Sequence, residues 1–262
     1  MAKFPETVLV TGASSGMGRA LAVAYSKPGR TLILIGRDVQ RLEEVAENCR
    51  SLGAAIEIGA IDVRDRQRMH EFILRMDDRH QVDLLIANAG VSTLLSRENI
   101  IEDHETTLST FEINVFGVIN AVQPIIQRMC ARGAGQIALM GSMAALHGLP
   151  YAPAYCATKS AIHLYAESLR SSLSKYGVLV SLIIPGFVST PFNAHLSVPK
   201  PMAMSAERAA IIIQQGLRNG KAQIIFPRML YFVIRALLLL PSELVDAILI
   251  RVAVSIRDTD KL

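Results

Sequence analysis

Residues 7–25 read TVLVTGASSGMGRALAVAY, and the order of features within them decides the fold. A β-branched apolar run, TVLV at 7–10, stops at a glycine-rich turn, TGASSGMG at 11–18, which opens directly into the helical pattern GRALAVAYSK. Gly12, Gly16 and Gly18 allow a tight turn, close approach of the backbone to a pyrophosphate, and close packing of helix on strand. The amino terminus of the following helix offers unpaired N–H groups to phosphate oxygens, so Ser14, Ser15 and Met17 fall within the same expected dinucleotide cradle. Glycines near a helix start are also ordinary turn formers; the strand before and the helix after favour the dinucleotide.

Outward from this unit the same alternation continues. Apolar runs TLILI at 31–35, AIEIGAI at 55–61, DLLIA at 83–87, QIALM at 136–140, VLVSLII at 178–184 and QIIF at 223–226 are separated by segments of helical period. In 38–52, for example, Val39, Leu42, Val45, Ala46, Cys49 and Leu52 form one stripe. Continuous apolar strands joined by crossover helices imply a parallel sheet covered on both faces. With right-handed crossovers this is an α/β, doubly wound Rossmann fold of about seven strands. Residues 1–227 are expected to form this single domain, followed by an apolar helical extension over 228–262.

Composition narrows the classes further. The chain has 262 residues, 51% hydrophobic and 19% charged, which fits one sizeable globular core and excludes disordered and fibrous proteins. Its net charge is only +4 and its Lys and Arg are interspersed with acidic residues, so a nucleic-acid partner is not expected. Cys49, Cys130 and Cys156 are odd in number and lack metal-ligand spacing. No metal site is expected, and a reducing, cytoplasmic compartment fits best. The stretch MAKFPETVLVTG contains no signal-peptide core, and the uncharged runs 133–158 and 176–199 are too broken by Gly, Pro and Ser to be membrane spans.

The position about 20 residues beyond the glycines, where a ribose-binding acid belongs, holds Gly36 followed by Arg37. A guanidinium with no carboxylate at that place favours a 2′-phosphate, hence NADP (NADPH) over NAD. The plainer reading is that Arg37 is a solvated loop residue and Asp38 a helix cap; Asp38 could also reach a ribose.

Residues 155–159, YCATK, set Tyr155 and Lys159 four apart, on one face of a helix. With TGASSGMG, Asn88-Ala89-Gly90, Asn114, Ser142 thirteen residues before Tyr155, and PGFVST at 185–190, all in order, the chain resembles the short-chain dehydrogenase/reductase family from about residue 5 to 225. Taken singly, Ser142 would be read as a cap and Asn114 as a core amide. What the resemblance implies is hydride transfer between nicotinamide and a carbonyl or secondary alcohol. Tyr155 would be the general acid or base, and Lys159 would lower its pKa from about 10 and hold the nicotinamide ribose. Ser142 would fix the substrate oxygen, and Asn114 would hold a water linking Lys159 to solvent. Asn88, Ala89 and Gly90 would lie against the cofactor ribose, Asp62 and Val63 at the adenine edge, and Val188 and Thr190, after Pro185 and Gly186, at the carboxamide. His147 and His163 read as structural or surface residues, and Cys156 as a packing residue.

Residues 191–204, PFNAHLSVPKPMAM, have the character of a substrate lid, and their apolar tone suggests an apolar small-molecule substrate. The tail departs from the common family pattern: 229–240 has Arg235 as its one charge, and Pro241-Ser242-Glu243 marks a break and a new helix. In that second helix Glu243, Asp246, Arg251 and Arg257 share one arc and leave a broad apolar face. The expectation is an assembly or membrane-surface element lying outside the chemistry: a homo-oligomer interface, or monotopic attachment. The alternative function is a cofactor-binding regulatory or scaffold protein without turnover; an epimerase is disfavoured by the short substrate region.

Overall fold

The computed structural model describes residues 5–92, 101–194 and 200–259, without the side chains of 193–194 and 252–259. Each apolar run becomes a strand: β1 (Thr7–Thr11), β2 (Thr31–Gly36), β3 (Ala55–Ala60), β4 (Leu84–Ala87), β5 (Gly135–Met140) and β6 (Val178–Pro185). A two-residue pair, β7 (Val188–Ser189) and β8 (Met204–Ser205), precedes the last long strand, β9 (Gln223–Phe226). The main sheet has seven strands in the order β3-β2-β1-β4-β5-β6-β9, every neighbouring pair parallel.

Helices cover both faces because both faces of the strands are apolar. Val8 and Val10 point to one side, against α1 (Gly16–Tyr25), α2 (Val39–Ser51) and, from later in the chain, residues 206–218; Leu9 points to the other. That second side is filled by α3 (Arg66–His80), α5 (Gly117–Ala131) and α6 (Pro153–Leu173), the short α4 (His104–Phe111) leading into α5. In α2 the predicted stripe is buried at Leu42, Val45, Ala46 and Cys49, while its ends, Val39 and Leu52, are exposed. After β7 come the single turn α7 (Pro191–Ala194), then α8 (Ala206–Arg218), and beyond β9 the tail helices α9 (Arg228–Leu237) and α10 (Ser242–Thr259). The middle of the expected lid, 195–199, and the side chain of Arg257 lie outside the described residues.

The strand order reverses between β1 and β4. In doubly wound sheets the carboxyl ends of the strands at that switch open a crevice for ligand, and the cavity of this chain lies there.

Candidate active site

All the expected site residues except Gly18 and Asn114 line one cavity of about 580 Å³. Those two stand directly behind its wall. A Cβ on Gly18 would lie 2.1 Å from the Gly12 carbonyl oxygen, so only glycine lets α1 close onto the turn. Gly12 itself has φ +66°, and a Cβ there would meet the Ala89 main chain at 2.8 Å.

The start of α1 is bare. Helices α2, α3, α4 and α8 are capped by the side chains of Asp38, Asp65, Asp103 and Ser205, whereas Ser15 makes no side-chain cap bond and the first turn of α1 holds no acidic residue. Its N–H groups face the cavity and fit a pyrophosphate, which satisfies such donors and the helix dipole together. Thr11, which the sequence reading missed, fixes the turn to the neighbouring strand end: its Oγ1 accepts from the N–H groups of both Asn88 and Ala89 at 3.0 Å. The Asn88 amide donates back to the Thr11 carbonyl at 3.0 Å, so this side chain braces the turn.

At the other end of the cradle, Arg37, Asp38 and Arg41 line the wall together. Asp38 accepts from Arg41 N–H at 3.1 Å and pairs with its guanidinium at 3.3 Å, as a helix cap does. Arg37 makes no hydrogen bond among the described residues. Asp62 is gripped by Arg64, at 2.8 Å from Nη2, and this bond holds its carboxyl below the usual range. Val63 is buried and packs against Gly117.

Asn114 lies in a π-helical turn, Glu112–Phe116, between α4 and α5, where the sequence pattern suggests continuous α-helix. Such turns recur at functional sites because the extra residue re-aims a side chain. Fully buried, the amide accepts from Val91 N–H at 2.8 Å and donates to the Val91 carbonyl at 2.9 Å and to Thr158 Oγ1 at 3.1 Å. Both of its donors are thereby spent, leaving none for the expected water. Thr158 in turn donates to the Tyr155 carbonyl at 2.8 Å, which ties Asn114 to the helix of YCATK.

Helix α6 begins with Pro153 at its first turn, and Glu102 accepts from Ala154 N–H at 3.0 Å, giving the helix its amino-terminal anion. Tyr155 and Lys159 then project on one face, as their spacing requires. Lys159 is buried, donates to the Met140 carbonyl at 2.9 Å, and is pushed down to about 8 by burial. The Tyr155 phenol is pushed up to about 12 by burial, with the hydrogen bond to Ser142 acting the other way. The expected lowering of this phenol does not appear: desolvation of the phenolate is the largest influence on it, and the Lys159 ammonium sits 5.8 Å from the ring centroid. Ser142 is also the cap of a short 3-10 turn, accepting from Ala144 N–H at 3.1 Å, so the plain reading of this residue holds alongside its place beside Tyr155. Cys156 is buried with its thiol pushed up by burial, in keeping with packing.

Pro185 at the end of β6, and Gly186, Val188 and Thr190 after it, carry the chain across the cavity, with Thr190 packed over Gly16. Phe192 follows, 6.2 Å from the Tyr155 ring. The tail does not lie apart from the site, as its position in the sequence suggests. Leu230, Ile234, Leu237 and Leu238 of the α9 region and Val245 and Leu249 of α10 line the cavity, Leu230 packing against Gly186. His147, in the loop before α6, meets Asp246 of α10 at 3.5 Å. An apolar helix face must be buried, and the open cavity mouth is the apolar surface within its reach.

Glycine turn, bare helix end and Tyr-Lys pair at the switch of a parallel sheet define a nicotinamide-dependent oxidoreductase of the Rossmann type. Residues 6–200 match the short chain dehydrogenase family, and the chain belongs to it. An uncharacterized oxidoreductase of Myxococcus xanthus is 31% identical over 92% of this chain and 95% of its own. Mouse 17-beta-hydroxysteroid dehydrogenase 13 is 29% identical over 85% of this chain and 74% of its own. Among solved structures, a short-chain dehydrogenase from Sphingobium yanoikuyae in complex with NADPH superposes with TM-score 0.77 at 24% identity, covering 84% of this chain and 87% of that one. A Mycobacterium paratuberculosis short chain dehydrogenase bound to NAD gives 0.73 at 23% identity, covering 83% and 94%. Among the described residues no helix is long and apolar enough to cross a membrane, and no cluster of metal ligands occurs.

Proposed function

We propose that this chain is an NADPH-dependent reductase of bulky apolar ketones or aldehydes, or the corresponding secondary-alcohol dehydrogenase, with Tyr155 as general acid or base. The observation that carries the substrate class is the apolar part of the cavity lining: six aliphatic residues of the tail, together with Phe192, Leu149 and Met143. The nicotinamide supplies or takes the hydride when bound. Tyr155, protonated at neutral pH, gives its proton to the carbonyl oxygen, and the Ser142 hydroxyl holds that oxygen by a hydrogen bond. Lys159 keeps its charge below about pH 8 and stabilises the phenolate left behind. The tail keeps water from the reacting atoms, which strengthens each of these interactions.

Arg37 supports NADP over NAD: Asp38 is occupied by its cap and by Arg41, so no free carboxylate opposes a 2′-phosphate, and Arg41 adds a second cation. The outward face of α9 and α10 is where the expected second subunit or membrane surface would meet the chain, in a reducing, cytoplasmic setting consistent with the free cysteines. The test is NADPH consumption by purified protein over ketones and aldehydes of increasing apolar bulk, with NADH in parallel. Rising kcat/KM with bulk, and preference for NADPH, are the expected results. Tight NADPH binding without turnover of any carbonyl would favour the regulatory alternative.

A further inference from the structure

We propose that His163 is a positioning residue for this reaction, its imidazole holding the Ser142 main chain so that the Ser142 hydroxyl stays in place beside the Tyr155 phenol. The proposal rests on the reading of Tyr155 and Ser142 given above. It starts from the end of β5. Gly141 N–H makes the last sheet-like bond there, to the Ile183 carbonyl at 2.8 Å, and Ser142 is the first residue beyond the ladder. A main-chain donor at that place has lost its strand partner and needs another. His163 provides it: Nε2 accepts from Ser142 N–H at 3.3 Å.

The acceptor comes from the catalytic helix itself. Tyr155, Lys159 and His163 follow at successive four-residue steps along α6, so one helix face presents the phenol, the ammonium and the imidazole to the end of β5. The ring reaches Ser142 because residue 141 has no side chain; a Cβ there would lie 2.5 Å from His163 Nε2. Gly141 and His163 thus form a matched pair. An imidazole that accepts at Nε2 carries its proton on Nδ1 and is neutral. Burial, with the neighbouring Lys159 ammonium, pushes His163 down to about 4, so the acceptor persists at neutral pH.

Ser142 is then held on three sides: by His163 at its N–H, by Ala145 N–H at its carbonyl (3.1 Å), and by Ala144 N–H at its hydroxyl (3.1 Å). Removing the first lets the residue rotate away from Tyr155. Small misplacements of a group that acts on the reacting oxygen cost rate more than binding.

The test uses full-length protein, NADPH and a ketone that the unaltered protein reduces. His163→Leu should lower kcat by about tenfold to about a hundredfold with NADPH affinity within about twofold. His163→Gln, whose amide oxygen reaches the place of Nε2, should recover kcat to within about threefold. A His163→Leu protein with unchanged kcat overturns the proposal, as does a His163→Gln protein as slow as the leucine variant. Tyr155→Phe is measured beside them: if it stays active, the reading of the site falls and this proposal with it, whereas an inactive Tyr155→Phe beside a fully active His163→Leu removes only the role of His163.

Discussion

The sheet domain and the tail helices bury apolar surface in opposite ways. In the domain the central strands are sunk on both faces, Leu9, Ile33, Leu34 and Leu85 reaching zero exposure, and side chains such as Asp38, Asp65 and Ser205 close helix ends. Helix α9 has no buried residue at all: Leu230, Tyr231 and Ile234 lean on the domain, while Met229, Phe232 and Val233 are 66%, 58% and 58% exposed on the other side. The comparison separates two kinds of precision. The domain fixes atoms by directional bonds, as at Thr11, Asn114 and Lys159, where one misplaced donor is costly. The tail supplies nondirectional apolar wall, which tolerates repacking.

The sharpest break of that comparison would come from Tyr155→Phe. Turnover should fall by about a hundredfold to about ten-thousandfold with NADPH binding nearly intact, since only the ionisable oxygen is lost. A variant keeping more than about a tenth of kcat contradicts the assigned role. The same phenol, with Lys159, sets a pH dependence: because burial pushes the phenol up to about 12, reduction, which needs the protonated phenol and the Lys159 ammonium, should run flat across neutral pH and fall once Lys159 loses its charge near pH 8. A reduction rate lost as one group titrates near pH 7 would assign the proton to another residue.

Next in size is a pair on the two sides of α9. Ile234→Asp places a charge in the cavity wall and should lower kcat/KM for bulky apolar ketones by about tenfold or more, with small ketones much less affected. Phe232→Asp, on the outward face, should leave kcat/KM within about twofold. Equal losses from both would mean the tail acts as a folded whole and not as a wall. The outward variant has a second readout: a smaller particle in light scattering, or weaker liposome binding, is expected if that face meets a subunit or a lipid surface. Arg37→Ala carries a more modest effect, narrowing the ratio of NADPH to NADH affinity by about tenfold in titration. Equal affinity for the two cofactors in the unaltered protein would remove the reason for naming Arg37.

The seven long strands were legible almost to the residue, because a parallel strand buried on both faces is a continuous apolar run bounded by turn residues. That Tyr155 and Lys159 meet at one end of the cavity was legible because four residues of helix return to one face. Other features leave no such trace. The π-helical turn at Asn114 depends on Val91 and Thr158, which are distant in sequence and meet it only in the fold. That His163 would accept from Ser142 follows from how α6 lies across Gly141, which no spacing rule encodes. The tail read as apolar, but hydrophobic pattern states how much surface must be covered and not what covers it. Its position after the last strand suggested distance from the site, whereas β9 ends beside β6 and delivers α9 to the cavity mouth.

The reciprocal bonds between Asn114 and Val91 make the chain sensitive to a change of one heavy atom. A side-chain amide there does what a neighbouring peptide would do, giving and taking one hydrogen bond in the same plane. Exchange of its nitrogen for oxygen, as in aspartate, keeps the shape but turns two donations into lone pairs facing the Val91 carbonyl and the Thr158 hydroxyl. The strand end that carries Gly90 would then lose its hold on the helix that carries Tyr155. Near-identity of form gives no protection at this position, because the residue works as a length of borrowed main chain and must read the same way along its edge.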